Sequence, residues 1–205
     1  RLAAPACAPH RCVCVVLFAR RFGHLTDMAV TRPRTAPPMA VHFEVQAHAW
    51  AAHVFDITCT IAQPAALQRV QLPVWIAGSY MVREFSKHLQ NLQCRQNNRP
   101  LAANQTDKAR WQVPCDPDQA LQVQYEVYAL DNSVRTSWLD SARGFFNATS
   151  LCLLAEGATD QAHALDIVRH PDMQGWSVAT GLHALEGDKA GFGRYQAADY
   201  DELAD

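Results

Sequence analysis

Nowhere does the chain contain a run near the ~20 apolar residues that a membrane-spanning helix needs, so no membrane partner is expected. It lacks a basic surplus: 18 Lys and Arg stand against 20 Asp and Glu. The imbalance is sharper once the ends are separated. Residues 1–38 hold six arginines against Asp27 alone, and the remainder carries 12 basic and 19 acidic side chains. An acidic body of this kind excludes nucleic acid as a partner, because phosphate binding needs a basic face. Seven cysteines, at 7, 12, 14, 59, 94, 115 and 152, form no Cys-x-x-Cys pair. The Cys12/Cys14 spacing suits a tetrahedral zinc knuckle poorly. The expectation is free thiols in a reducing, cytoplasmic compartment, with a secreted or periplasmic location left open. There is no Gly-x-Ser-x-Gly elbow, no phosphate-cradling glycine loop, no internal repeat and no low-complexity tract. None of the nine histidines belongs to a His-Glu-x-x-His pair. His48 and His53 lie five apart in strand-like sequence and can meet only across a hairpin, so no metal site is expected in this chain.

What remains is β sequence. Residues 1–38 hold five of the eleven prolines and only one apolar run, Cys12 to Ala19. They are expected to be a disordered or non-native leader, with a secretory or targeting role as the other possibility. The pattern changes at Met39. Val41, Phe43, Val45 and Ala47 alternate with polar residues, and so do Phe55, Ile57, Cys59 and Ile61. Period two means strands with one buried face, and the short gap between them predicts a hairpin. Further strands are expected over Arg69 to Ile76, Leu89 to Gln96, Ala109 to Val113, Leu121 to Ala129, Leu151 to Leu154, Ala164 to Val168 and Trp176 to Thr180. An Asn97-Asn98-Arg99-Pro100 turn follows the second of these. Strands about ten residues apart with turn chemistry between them indicate an all-β domain, an antiparallel β-sandwich or open barrel with at most short helices. Its expected span is residues 39–198.

The densest stretch runs from Leu72 to Phe85. An apolar segment containing Pro73 reaches a forced turn at Gly78-Ser79 and leaves through Tyr80, Arg83, Glu84 and Phe85. Met81, Phe85 and Leu89 recur at four-residue steps, which predicts a short helix. A second dense block is Arg143-Gly-Phe-Phe-Asn-Ala-Thr-Ser-Leu151, and a third is the terminal Asp199-Tyr-Asp-Glu-Leu-Ala-Asp205. Asn147-Ala-Thr149 fits the glycosylation acceptor pattern, expected here to be a chance match.

In these three blocks and their order the chain resembles the N-terminal domain of the glycyl aminopeptidases, PDZ-containing metallopeptidases with a thermolysin-like catalytic domain. Trp75, Gly78, Ser79, Tyr80, Arg83 and Glu84 match that family's Trp-x-Pro-Gly-Ser-Tyr-x-x-Arg-Glu block; Ala77 stands where the family usually has proline. The resemblance implies a non-catalytic β domain that packs on a peptidase domain and helps wall its substrate cleft. Residues 199–205 would then begin the linker to that domain. Zinc would be bound there and not by this chain, which alone is expected to be inactive. By the same resemblance Tyr80, Arg83 and Glu84 are candidates for contacting a peptide substrate, against the alternative that they pin the turn. Phe145, Phe146 and Asn147 are expected to be structural. A competing expectation is a free-standing β-sandwich binding module for peptide or carbohydrate, with Trp50, Trp111 and Trp138 as its platform.

Overall fold

The computed structural model describes residues 15–20, 39–76 and 81–204. Strand β1 (Val15–Arg20) comes first, formed by six residues of the stretch set apart above as a leader. It is drawn from the one apolar run in that stretch; the rest of 1–38 lies outside the described residues. β2 (Val41–Ala49) and β3 (Val54–Ile61) form the expected hairpin. Val41 opposes Ile61, Phe43 opposes Cys59 and Val45 opposes Ile57, so these inward residues meet one another and a one-residue slip would expose them. A 3-10 turn, Trp50–Ala52, joins the strands and closes through His53 at φ 57°. That left-handed conformation costs about 1 kcal/mol for a residue with a Cβ. His53 is held in it by its own ring, whose Nδ1–H donates to the Leu139 carbonyl at 2.5 Å.

β4 (Leu67–Gln71) is shorter than expected. Pro73 has no amide donor for a ladder, and the Leu72 amide instead donates to the Ala109 carbonyl at 2.9 Å. The predicted helix beyond the turn is a single 3-10 turn, Phe85–His88. Phe85 is buried but Met81 is 65% exposed, so the four-residue spacing does not describe one buried face. β5 (Leu89–Gln96) and β6 (Arg99–Leu101) pair around Asn97 and Asn98, which both have positive φ, at 46° and 62°. This is the two-residue hairpin geometry that asparagine tolerates. Then come β7 (Asn104–Asp107), β8 (Arg110–Pro114), β9 (Leu121–Tyr128), β10 (Ser137–Leu139) and β11 (Arg143–Asn147). Helix α1 (Ala148–Leu151) follows, replacing the start of the strand expected over Leu151 to Leu154. β12 (Leu154–Ala155), β13 (His163–Val168), β14 (Trp176–Ala179), β15 (His183–Gly187), β16 (Gly193–Ala197) and helix α2 (Tyr200–Ala204) complete the chain.

The protein is therefore mainly β, as the alternation implied. Among the described residues the strands form three sheets: β15-β16-β13-β2-β3-β9-β5-β6, β12-β4-β8-β7 and β10-β11-β1-β14. One pairing departs from the antiparallel expectation, β13 running parallel to β2. A single apolar core takes residues from all three sheets, among them Phe43, Phe55 and Val123, then Val70 and Val113, then Leu139, Phe146 and Trp176. Phe55 and Phe146 meet edge to face across it, with ring centroids 5.6 Å apart. Among the described residues no helix is long and apolar enough to cross a membrane.

Candidate functional site

The first block is a loop fastened at its base. The Arg83 amide donates to the Val74 carbonyl at 2.7 Å. Leu72, Ile76 and Phe85 are buried beneath the loop, whereas Val74, Trp75, Met81 and Val82 are exposed. Ala77, Gly78, Ser79 and the candidate Tyr80 lie outside the described residues. Arg83 and Glu84 line a cavity of about 310 Å³ together with Lys87, His88, Asp131 and Thr136. The structure thus brings two of the three candidates to one hollow, next to a connection some fifty residues further along the chain.

The hollow has charges of both signs. Glu84 accepts from Lys108 Nζ at 2.9 Å. This hydrogen bond and the ammonium charge hold the Glu84 carboxyl below its ordinary range and raise Lys108 correspondingly. Both groups are open to solvent, so the carboxylate is available to a second donor. Burial pushes the His88 imidazole down, and Lys87 adds to this while Asp131 opposes it; the ring is neutral near pH 7. The Thr136 hydroxyl is committed to the Asp131 and Ser133 carbonyls, each 2.9 Å away. Its turn is further tied by Asp131 Oδ1, which accepts from the Ser133 amide at 3.0 Å. Carboxylates beside a guanidinium can hold a cationic amine and an adjacent carbonyl at once. Lys108, His88, Asp131 and Thr136 were not singled out in the sequence. The Asp131-Asn132-Ser133 run is turn chemistry, and nothing in it names the hollow as its neighbour.

The second block is interior. Phe146 is fully buried and Asn147 has no exposed surface. Asn147 Oδ1 caps α1, accepting from the Thr149 amide at 3.1 Å and from the Thr149 hydroxyl. The acceptor pattern at Asn147 is thus out of reach of a glycosylating enzyme in the folded protein. Two tyrosine hydroxyls finish the helix: Tyr125 donates to the Leu151 carbonyl and Tyr200 to the Cys152 carbonyl, each at 2.7 Å. Tyr200 belongs to the third block, which therefore docks on the end of the second.

The proposed tryptophan platform is not assembled. Trp111 is buried, Trp50 stacks on Trp176 with centroids 6.3 Å apart, and the Trp138 indole donates to Asp140 at 2.9 Å beneath Arg143. These rings serve internal packing.

His42, Glu44 and Asp166 lie close enough to suggest metal ligands. However, both Asp166 oxygens are already engaged, by Arg194 at 2.8 and 2.7 Å and by His42 Nε2 at 2.8 Å. A guanidinium fills the position a cation would take. His53, the other histidine considered, has its Nδ1 on a carbonyl, and the side chain of His48 is not described. These donor sets do not fit a catalytic zinc.

Comparison with known proteins agrees with this architecture. The Peptidase M61 N-terminal domain family matches residues 42–205. A crystal structure of an aminopeptidase N family protein from Idiomarina loihiensis is 39% identical, with a TM-score of 0.78 over 80% of this chain. The match spans only 28% of that protein's chain. An M1 zinc metallopeptidase from Deinococcus radiodurans is 10% identical, with a TM-score of 0.38 over 78% of this chain and 37% of its own, too distant to carry an argument. No curated protein matches.

Proposed function

The chain belongs to the Peptidase M61 N-terminal domain family, and from that premise we propose that it is the non-catalytic β domain of a zinc-dependent aminopeptidase of the glycyl type. It packs on a peptidase domain and supplies one wall of the substrate cleft. The observation that carries this reading is the hollow in which Arg83 and Glu84 sit together at the surface, within a chain whose family match covers nearly all of the β domain. Glu84 accepts a hydrogen bond from the free ammonium of a peptide N-terminus, and Arg83 donates to the first backbone carbonyl. Zinc is held elsewhere in the enzyme, since the donors described here do not fit it.

The test is kinetic and uses the full-length native polypeptide with glycyl-arylamide substrates. Arg83→Ala is expected to lower kcat/KM per folded molecule by about tenfold to a hundredfold, the range of one lost charge-assisted hydrogen bond. Unaltered kinetics would return Arg83 and Glu84 to the role of pinning the loop. A full-length protein that cleaves no N-terminal residue, with zinc supplied, would end the aminopeptidase reading.

A further inference from the structure

We propose that the peptidase domain of the same polypeptide docks on one continuous apolar surface formed by Val74, Trp75, Met81 and Val82 together with Tyr128, Leu130 and Val134. This rests on the function proposed above and adds where the contact is made. Among the described residues, seven of the eight large hydrophobic side chains left exposed fall in these two short segments; Leu67 is the eighth. Val82 is 75% exposed, Val134 72%, Met81 65% and Trp75 57%. Exposed apolar residues on a soluble surface are usually scattered singly, and a contiguous group of them marks a contact.

The two segments adjoin. Met81 and Val82 line the same hollow as Asp131 and Thr136, and the His88 ring lies 6.2 Å from the Tyr128 ring. Both are held from below, the first by the Arg83–Val74 hydrogen bond and the second by the Thr136 and Asp131 turn. These hydrogen bonds tie the backbone beside the apolar side chains to the body of the domain.

Two observations select the occupant. In the 39% identical relative the matching unit is 28% of one continuous chain, so a much larger body is tethered to it. A tether supplies a high effective concentration, and a modest area suffices for a stable contact between linked domains. Two of its residues, Met81 and Val82, line the hollow with Arg83, Glu84, Lys87 and Asp131. A second copy of this domain pressed flat against it would strip water from all four charges at a cost of several kcal/mol each. A domain that meets the apolar flanks and leaves a cleft between them keeps those charges wet.

Oxidation of Met81 in the native full-length polypeptide reads the contact directly, with dilute peroxide as the probe. Met173, which has no exposed surface, is the buried reference, and the guanidinium-unfolded polypeptide is the exposed one. The expected result is that Met81 reacts at a rate close to Met173. In Val82→Asp/Val134→Asp, two changes at exposed positions that leave the β domain itself intact, Met81 should react near the unfolded rate. A single thermal unfolding transition should also split into two. Met81 reacting near the unfolded rate in an active, wild-type aminopeptidase would overturn the docking proposal alone. Protection that disappears on dilution, with dimer seen by ultracentrifugation, would also overturn it in favour of a second copy. A native polypeptide with no peptidase domain would remove both this proposal and the function it rests on.

Discussion

Two blocks of this chain carry most of its family resemblance, and they are built in opposite ways. From Gly144 to Leu151 every residue is buried. Phe146 packs on Phe55, Asn147 caps α1, and two tyrosines close the helix. From Met81 to Glu84 no residue is buried, and the polar atoms face a hollow. A recognisable motif can therefore record a packing constraint or a surface with a task, and the residue letters do not say which. Burial separates them. Substitutions in the second block should unfold the domain without touching substrate. Substitutions in the first should do the reverse.

The largest expected effect is on the buried side. Phe146→Ala removes a fully buried ring from the junction of two sheets and should cost about 3–5 kcal/mol. Asn147→Ala loses the cap and leaves the Thr149 amide and hydroxyl without their acceptor, for about 2–3 kcal/mol. Both are read as urea midpoints, with kcat/KM per folded molecule unchanged in the full-length enzyme. If Asn147→Ala kept its stability and lost turnover, the second block would have to be moved to the substrate side of the comparison.

This contrast also marks how far the sequence could be read. The β2–β3 hairpin and β9 were legible because one face is apolar and the other polar along their whole length. β7 was not, since Asn104, Gln105, Thr106 and Asp107 are all exposed and have no period to detect. β11 carries no such signal, because its consecutive residues Gly144 to Asn147 are all buried, which erases alternation. The parallel pairing of β13 with β2 joins residues over a hundred positions apart, and strand patterns do not name their partners. At the site, Arg83 and Glu84 came from resemblance alone. Lys108 and Asp131 reach them only through folding.

An intermediate effect is expected on acidification. Burial depresses the His163 pKa, more than the Gln161 carbonyl and Asp199 raise it. The ring lies between Phe43 and Tyr200, with centroids 6.3 and 5.7 Å away, so it couples the large sheet to the third block. A histidine with a lowered folded-state pKa is neutral in the fold. As pH falls below about 6.5, the unfolded chain takes up a proton that the folded one refuses. Stability should thus decline between pH 7.5 and 5.5. His88 is depressed as well and adds in the same direction. Urea midpoints for His163→Gln should show a shallower decline than wild type, with the remaining slope belonging to His88. Equal slopes would mean that His163 titrates alike in the folded and unfolded chains, and a steeper decline in the variant that it is held charged in the fold.

The smallest effect on stability should come from the exposed side. Glu84 and Lys108 make a good 2.9 Å contact, yet their side chains are 58% and 82% exposed. Such a pair gains little over its hydrated parts and is screened by salt. Lys108→Ala should leave the urea midpoint where it was. Its consequence should appear at the substrate. With its ammonium partner gone, the Glu84 carboxylate has one competitor fewer for a cationic amine, so KM for a glycyl-arylamide should fall in Lys108→Ala and rise in Glu84→Gln. Both changes should shrink as salt is raised. Opposite signs from the two halves of one ion pair are what a ligand-facing carboxylate predicts. If both variants instead lowered the unfolding midpoint and left KM alone, the pair would be a clasp for the loop. The first block would then be structural like the second, differing only in where it sits.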